Sequence, residues 1–170
     1  ESMSRVPMSG FNPMPNPALC ESMPAAYMSM GETAENVGRE YAISREEQEV
    51  FAVASQQKAG EAQTKGHLAD EIVPIEVGGH SIEKDGCLRP TTDLEGLAGL
   101  KLAFDENGTV TAGTSSPLTD GAAATLVCSL DYANANGLTP MARIAGIAVS
   151  GCKPETMGLG PIFSSRKALS

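Results

Sequence analysis

Tryptophan is absent from this chain of 170 residues, and aromatic side chains make up only 4% of it. Its core must therefore rest on alanine, valine, isoleucine, leucine and methionine, and a hydrophobic content of 41% suits a globular protein of this length. Basic residues are scarce too, and the formal net charge is −9. Because no basic patch is available to replace the counterions of a phosphate backbone, we expect no nucleic-acid partner.

Long apolar runs are also missing. No stretch reaches the length of a membrane span, and no signal-type hydrophobic stretch lies at or near Glu1. We therefore expect no membrane span. We interpret the compartment as intracellular: cytoplasmic, or mitochondrial or peroxisomal if the source is eukaryotic.

Cysteine pairs of the kind that bind zinc do not occur. The four cysteines are irregularly spaced, at Cys20, Cys87, Cys128 and Cys152. None forms a C-x-x-C pair, and His67 and His80 are not placed to complete a zinc site with them. We expect neither a metal site nor a disulfide framework.

Both ends of the sequence look cut from a longer chain. It opens on Glu1 rather than on a methionine, and residues 164–170 are typical of the first turns of a helix. We therefore expect this chain to be a portion of a larger protein.

The first half of the chain carries the clearest helix signals. Prolines between residues 10 and 26 predict an extended, looping segment, because proline disrupts the interiors of helices and sheets. Apolar spacing then predicts a helix over residues 33–41. A capping box, Ser44 with Glu47, predicts the start of a second helix that stops at Gly66, and its other polar residues are interpreted as a solvated face.

A hairpin and a short helix are predicted after these two helices. Residues 71–77 alternate like an edge strand, Gly78-Gly79 is a hairpin turn signal, and residues 80–88 are predicted to return as a weak strand. A second capping box, Thr92 with Glu95, predicts the short helix.

Apolar segments dominate the last third of the chain. Residues 121–130 and 142–149 are predicted to be buried strands, since apolar residues would occupy both faces, with a helix over 131–136 between them. Cys128 is then expected to be a small core residue. Strand, helix and strand in this order predict an α/β sheet.

The segment 108–124, GTVTAGTSSPLTDGAAA, is unusually rich in small residues and hydroxyls. Backbone exposed with so little side-chain bulk suits a site that presses main chain and hydroxyls against a ligand. A glycine-rich surface connection explains the same composition. The segment alone does not decide between the two.

Seven segments in order make the chain resemble the middle of a thiolase, the acyl-CoA acetyltransferase family. They are ESMS at 1–4, MGETAEN at 30–36, ISREEQ at 43–48, DEIVP at 70–74, RP at 89–90, the segment 108–124, and MGLGP at 157–161. The resemblance implies an α/β fold of two similar halves in five αβαβα layers, with a loop domain inserted in the first half.

The resemblance also implies domain boundaries. Residues 1–12 would end the N-terminal half, 13–117 would form the loop domain that binds coenzyme A, 118–140 would return to the N-terminal half, and 141–170 would begin the C-terminal half. Only the loop domain and flanking pieces of the two halves would then be present.

By the same resemblance, several residues would contact an acyl-CoA substrate. Met30 would lie beside the pantetheine and thioester, Arg89 would meet the nucleotide end, and Met157 would line the acyl pocket. Ala112, Gly113 and Ser116 would line and hydrogen-bond the pantetheine arm. A guanidinium can hold a phosphate or stack on adenine, which suits Arg89, although a surface ion pair is the alternative.

The chain departs from the family pattern at a few positions. Ser29 stands where many members carry histidine, and Thr114 stands where biosynthetic members commonly carry asparagine. The string Gly-Thr-Ser-Ser is more like the degradative branch. The stretch before Arg89 lacks the usual acidic pair, which weakens the comparison around the adenine end.

No catalytic residue is assigned to this chain. Thiolysis needs a thiolate nucleophile, a base and oxyanion donors. The family supplies them from motifs before ESMS and well after MGLGP, so the chain alone is expected to be inactive. For the whole enzyme, the resemblance implies coenzyme A as a substrate and no prosthetic group.

Three functions remain open at this point. The first is a degradative 3-ketoacyl-CoA thiolase of β-oxidation, the second a biosynthetic acetoacetyl-CoA thiolase, and the third a non-catalytic acyl-CoA or lipid-binding module. The family implies a homodimer or homotetramer, or a place in a β-oxidation complex.

Overall fold

The computed structural model describes residues 3, 10, 12 and 14–170. The chain divides into two compact units. One comprises Glu1–Met28 with Leu118–Ser170, and the other comprises Ser29–Pro117.

The first described helix, α1, is Pro17–Ser22, and a 3-10 turn follows over Pro24–Tyr27. The prediction of an extended, looping segment is therefore wrong for these residues. A proline stands at the start of each element, where its missing N–H would have had no intrahelical partner. The Asn16 side chain caps α1 by accepting a hydrogen bond from the Leu19 N–H at 3.2 Å.

Two longer helices open the other unit: α2, Met30–Glu40, and α3, Arg45–Thr64. The predicted capping box of Ser44 with Glu47 is confirmed. A second capping box joins Ser29 to Glu32 and starts α2 three residues before the predicted boundary, because the cap rather than the apolar spacing fixes the first turn.

A short antiparallel hairpin follows, with β1 at Ile75–Val77 and β2 at His80–Ile82. Ile75 lies opposite Ile82. The turn predicted at Gly78 and Gly79 is confirmed, and both adopt positive φ, +58° and +81°, which glycine tolerates without steric cost. The strands are shorter than predicted.

Helix α4, Leu94–Ala98, has a different cap from the predicted one. Asp93 rather than Thr92 is the N-cap, and its carboxylate accepts a hydrogen bond from the Gly96 N–H at 2.8 Å. The Thr92 hydroxyl instead donates to the Arg89 carbonyl at 2.7 Å. Thr92 and Asp93 are adjacent candidates for the N-cap, and the Asp93 carboxylate occupies that position.

The C-terminal part contains α5, Leu130–Ala135, a 3-10 turn over Pro154–Leu159, and α6, Gly160–Leu169. The strands predicted over 121–130 and 142–149 are wrong for this structure: residues 121–129 and 142–149 have no strand assignment. A strand forms only where a neighbouring chain segment satisfies its backbone groups.

The apolar side chains of these two segments are consequently exposed. Val127 is 72% exposed and Ile147 is 82% exposed. Cys128 is exposed as well, so the prediction that it belongs to a core is wrong for this chain.

The unit of residues 29–117 has a small core centred on Leu97, Val110 and Thr111. Two carboxylates, Glu35 and Glu49, are also buried there, each less than 10% exposed. A core with so many polar groups must pair them, because an unpaired buried polar group is costly.

Candidate functional site

A cleft of about 600 Å³ lies within the unit of residues 29–117. One wall is a face of α3 whose residues recur at helical spacing: Gln48, Phe51, Ala52, Ser55, Gln56 and Ala59. Residues 113–117 form a second wall, and Asp85, Cys87 and Leu88 also line it. The glycine- and hydroxyl-rich segment is therefore partly a cleft wall rather than a surface connection.

Gly113 allows this wall to approach α4 closely. A methyl group at this position would collide with the Leu97 side chain and would lie 2.7 Å from Leu100 Cδ1. Glycine permits that approach without a shift of the two leucine side chains.

Hydroxyl groups hold the turn that contains Gly113. Thr111 is fully buried, and its hydroxyl accepts a hydrogen bond from the Gly113 N–H at 3.2 Å. The Thr114 hydroxyl accepts from the Thr111 N–H at 3.1 Å, and the Ser115 hydroxyl donates to the Thr111 carbonyl at 2.8 Å. These hydroxyls stabilise the wall itself.

The carboxylate of Glu35 anchors the start of the same segment. Its oxygens accept hydrogen bonds from the Thr109 N–H at 2.9 and 3.0 Å and from the Val110 N–H at 2.8 Å. The Thr109 hydroxyl is also within hydrogen-bond distance, at 3.3 Å. Glu35 therefore ties α2 to the backbone that leads into the cleft wall.

Two residues of α3 complete this framework. Gln48 Nε2 donates to the Thr109 hydroxyl at 2.8 Å. Arg45 donates from Nε to Glu49 at 2.6 Å. Its Nη2 also donates to three carbonyls at the end of α4, those of Leu97, Ala98 and Leu100, at 2.9 to 3.1 Å. A cation at a helix C-terminus also opposes the partial negative charge there.

Sequence reasoning missed Glu35, Arg45 and Gln48. The sequence predicts a solvated face for the other polar residues of α3, and for Arg45 and Gln48 this is wrong, because they contact other parts of the chain. The available signal was their position inside the segments 30–36 and 43–48, which carry the resemblance.

The predicted site residues fall in different places. Gly113 and Ser116 line the cleft, and Ala112 is exposed beside Gly113. Arg89 is held at the cleft by its backbone, since its N–H donates to Gln56 Oε1 at 2.8 Å. Its guanidinium is exposed and reaches the Cys87 carbonyl at 3.4 Å.

The two predicted methionines are not among the residues that line this cleft. Met30 is the first residue of α2 and is 63% exposed. The next residue, Gly31, packs so closely on the Phe104 ring that a side chain there would collide with it. Met157 lies in the 3-10 turn of the other compact unit.

The charged side chains that line the cleft are acidic. Glu47 and Asp85 contribute to the lining, and no lysine or arginine is among the lining residues of the described chain. The pKa of Glu47 lies below its ordinary value because the Ser44 N–H, and then the Ser44 hydroxyl, donate to its carboxylate at 2.7 and 2.8 Å. Glu47 therefore stays negatively charged at neutral pH, and a phosphate placed beside it would be repelled.

Two other kinds of site are absent from residues 3, 10, 12 and 14–170. No group of three or more histidine, cysteine or acidic side chains there could hold a metal ion. Among the described residues, no helix has the length and apolar content needed to cross a bilayer.

The sequence matches the family described as "Thiolase, N-terminal domain" over residues 1–131. A 3-ketoacyl-CoA thiolase of Bacillus subtilis (strain 168) is 44% identical over 99% of the chain, which covers 46% of that relative. An acetyl-CoA acetyltransferase of Paracoccus denitrificans is 51% identical over 82% of the chain, which covers 37% of that relative. The chain thus spans about half the length, or less, of the curated relatives it matches.

A solved structure is similar as well. It is human mitochondrial 3-ketoacyl-CoA thiolase in complex with CoA, with a TM-score of 0.73 and 38% identity. The similarity covers 85% of this chain and 36% of that one. At this identity and TM-score, the chain has part of the same α/β fold.

Proposed function

The chain belongs to the thiolase family, and on that premise we propose that the protein carrying it transfers an acyl group between 3-ketoacyl-CoA and CoA. The products would be acetyl-CoA and an acyl-CoA shortened by two carbons. The relative named 3-ketoacyl-CoA thiolase, matched over 99% of the chain, supports this reaction.

We assign to this chain the binding of the CoA part of the substrate. The observation that carries the assignment is the cleft whose wall is residues 113–117, where Gly113 lets the backbone pack closely against α4. Ala112, Gly113 and Ser116 would contact the pantetheine arm, and Met30 and Met157 keep their assigned roles at the thioester and the acyl pocket. The compact unit Ser29–Pro117 ends where the loop domain proposed over 13–117 ends, whereas residues 14–28 fall in the other unit.

Charge supports one orientation of the ligand. The cleft presents Glu47 and Asp85, which repel phosphate but tolerate the neutral pantetheine arm. Arg89 is exposed at the edge of the cleft and can meet the phosphates, since a guanidinium binds them through paired N–H donors. The nucleotide end would therefore lie at Arg89 and the arm along residues 113–117.

The acyl transfer itself needs groups that we do not assign to this chain. A thiolate must attack the 3-keto carbonyl, the bond to the acetyl-CoA fragment must break, and CoA must then take the acyl group from the cysteine. The family resemblance assigns these groups to motifs before and after the present residues. The described residues hold the substrate in place for that chemistry.

Substitution of Arg89 tests the assignment of CoA binding to this chain. We expect Arg89→Gln to weaken CoA binding about tenfold in calorimetry, because a charge-assisted hydrogen bond to phosphate is lost, and the loss should shrink at high salt. Arg39→Gln is the matched control, since Arg39 is an exposed arginine of the same unit that pairs with Asp105 at 3.3 Å. Equal affinities for Arg89→Gln and the control would contradict the assignment.

The degradative role is the first candidate because the string Gly-Thr-Ser-Ser and the relative matched over 99% of the chain favour it. The biosynthetic role is the second candidate, favoured by the acetyl-CoA acetyltransferase that is 51% identical. Activity of the full-length enzyme on long-chain and four-carbon 3-ketoacyl-CoA separates them. Turnover of acetoacetyl-CoA alone would overturn the degradative assignment.

We further propose that the intact protein is an intracellular homodimer or homotetramer, in the cytoplasm or in the organelles of β-oxidation. The four cysteines are free thiols, which agrees with a reducing compartment. Light scattering on the full-length protein gives its assembly state.

A further inference from the structure

Three hydrogen-bonded side chains, which we call the Glu35 relay, lead from the interior of the unit to the cleft. Glu35 is 4% exposed, Thr109 lies against it, and Gln48 lies against Thr109 and lines the cleft. Two contacts join them: the Thr109 hydroxyl to Glu35 at 3.3 Å and Gln48 Nε2 to the Thr109 hydroxyl at 2.8 Å.

Both hydrogen bonds of the Glu35 relay are donated in the same direction, from Gln48 to Thr109 and from Thr109 to Glu35. The Thr109 hydroxyl donates to Glu35 Oε2 at 3.3 Å, so its single proton is directed there. The hydroxyl oxygen can then only accept from its other neighbour, so the NH₂ group of Gln48 faces it rather than the carbonyl. The amide of Gln48 is therefore held in one of its two orientations.

This orientation leaves Gln48 Oε1 as the unused acceptor. Among the described residues, no hydrogen bond to Gln48 Oε1 is formed, whereas the NH₂ group is bound to Thr109. Gln48 belongs to the α3 face that lines the cleft. Because Gln48 lines the cleft and its NH₂ group is bound to Thr109, Oε1 is the polar atom that it can offer to an N–H or O–H donor of a ligand.

We propose that Gln48 is a specificity-determining residue that accepts a hydrogen bond from an amide N–H of the pantetheine arm, with Glu35 and Thr109 as the positioning residues that orient it. The inference rests on the proposed binding of CoA in this cleft. The occupant is a neutral amide because the cleft also presents Glu47 and Asp85, which disfavour an anion. The two amides of pantetheine are the groups of CoA that fit.

The test compares CoA with adenosine 3′,5′-bisphosphate, which has phosphates and adenine but no pantetheine amide. In the full-length protein, we expect Gln48→Met to weaken CoA binding about three- to tenfold, because one hydrogen bond is lost in a partly desolvated site. The affinity for the bisphosphate should not change. Gln57→Met is the matched control, since Gln57 is an exposed residue of α3 that does not line the cleft, and it should bind both ligands as the wild type does.

Thr109→Val removes the hydroxyl that orients Gln48 while keeping nearly the same shape. We expect a smaller loss of CoA affinity than for Gln48→Met. The double variant should bind no more weakly than Gln48→Met alone, because both changes act on the same hydrogen bond.

The outcomes separate this inference from the proposed function. If the wild type fails to bind CoA, both are overturned. If the wild type binds CoA and Gln48→Met binds it equally well, or loses affinity for both ligands alike, only the inference is overturned. The Gln48→Met result decides the matter even if Thr109→Val does not fold.

Discussion

Glu35 is a single residue whose buried carboxylate binds the backbone of a distant segment. Residues 108–110 lie between the turn closed by the Gly108 N–H on the Asp105 carbonyl and the 3-10 turn Ala112–Thr114, and they belong to no strand, so the N–H groups of Thr109 and Val110 need other acceptors. The carboxylate accepts from both. Gly108 has no side chain where one would collide with that carboxylate, which lets the two segments approach.

Glu35→Gln should therefore destabilise the protein. The amide offers one acceptor oxygen instead of two and turns an NH₂ group toward backbone donors, which costs about 1 to 3 kcal/mol. Urea unfolding followed by circular dichroism measures the change. Glu40→Gln is the control, since Glu40 is an exposed acidic residue of the same helix, and it should stay within about 0.5 kcal/mol of the wild type. Equal stability of both variants would contradict this role for Glu35.

The candidate site was predictable from the sequence only where composition carried the signal. The small residues of the segment 108–124 predict main chain pressed against a ligand; in the structure residues 113–116 line the cleft, and Gly113 packs closely on Leu97 and Leu100. Glu35 and Gln48 were not found, because a charged or amide residue at helical spacing looks like a solvated face until its distant partner is known. Their partner, Thr109, lies more than sixty positions away in the sequence.

At the scale of elements, local rules worked where the interactions are local. The box of Ser44 with Glu47 and the turn at Gly78 and Gly79 depend on residues within a few positions, and both were predicted. The strands over 121–130 and 142–149 were not found as predicted, because a strand depends on a partner that its own sequence does not contain. Helices satisfy their backbone groups internally, so their prediction does not share this dependence.

The capping box of α3 predicts a pH dependence of stability. The folded pKa of Glu47 lies below its ordinary value of 4.5, chiefly because the Ser44 N–H donates to the carboxylate. A lowered pKa means that this stabilisation is complete above 4.5 and is lost as the pH falls through the folded value. Glu47→Gln should therefore be less stable than the wild type at pH 7, and the difference should shrink below pH 4.5.

Unfolding free energies measured from pH 7 down to pH 3 check this expectation. Glu46→Gln is the control, since Glu46 stands in the same first turn but makes no side-chain hydrogen bond among the described residues. The difference in unfolding free energy between Glu46→Gln and the wild type should change less with pH. A difference between Glu47→Gln and the wild type that stays constant with pH would rule out the charged cap as its source.

Across the whole molecule, the two compact units differ in how far their own residues bind their polar groups and cover their apolar side chains. In Ser29–Pro117, Glu35, Arg45 and Gln48 join helices to distant segments through short hydrogen bonds. In the other unit, two long apolar segments carry no strand pairing and expose Val127 and Ile147. The chain covers 36% of the CoA-bound thiolase structure it resembles, so most of that protein has no counterpart among these residues.

This contrast predicts uneven hydrogen exchange. In the chain of residues 1–170, backbone amides of 142–149 should exchange with deuterium within seconds, while those in the middle of α3 should be protected, because only the latter are hydrogen-bonded in a regular element. In a full-length thiolase that contains this sequence, the same residues should become protected once neighbouring strands are supplied. Exchange followed by mass spectrometry compares the two proteins, with the peptide of α3 as the internal control. Protection of residues 142–149 in the shorter chain would contradict this expectation and would mean that another copy or another segment pairs with them. Dilution separates these two explanations, because only pairing between copies weakens as the protein concentration falls.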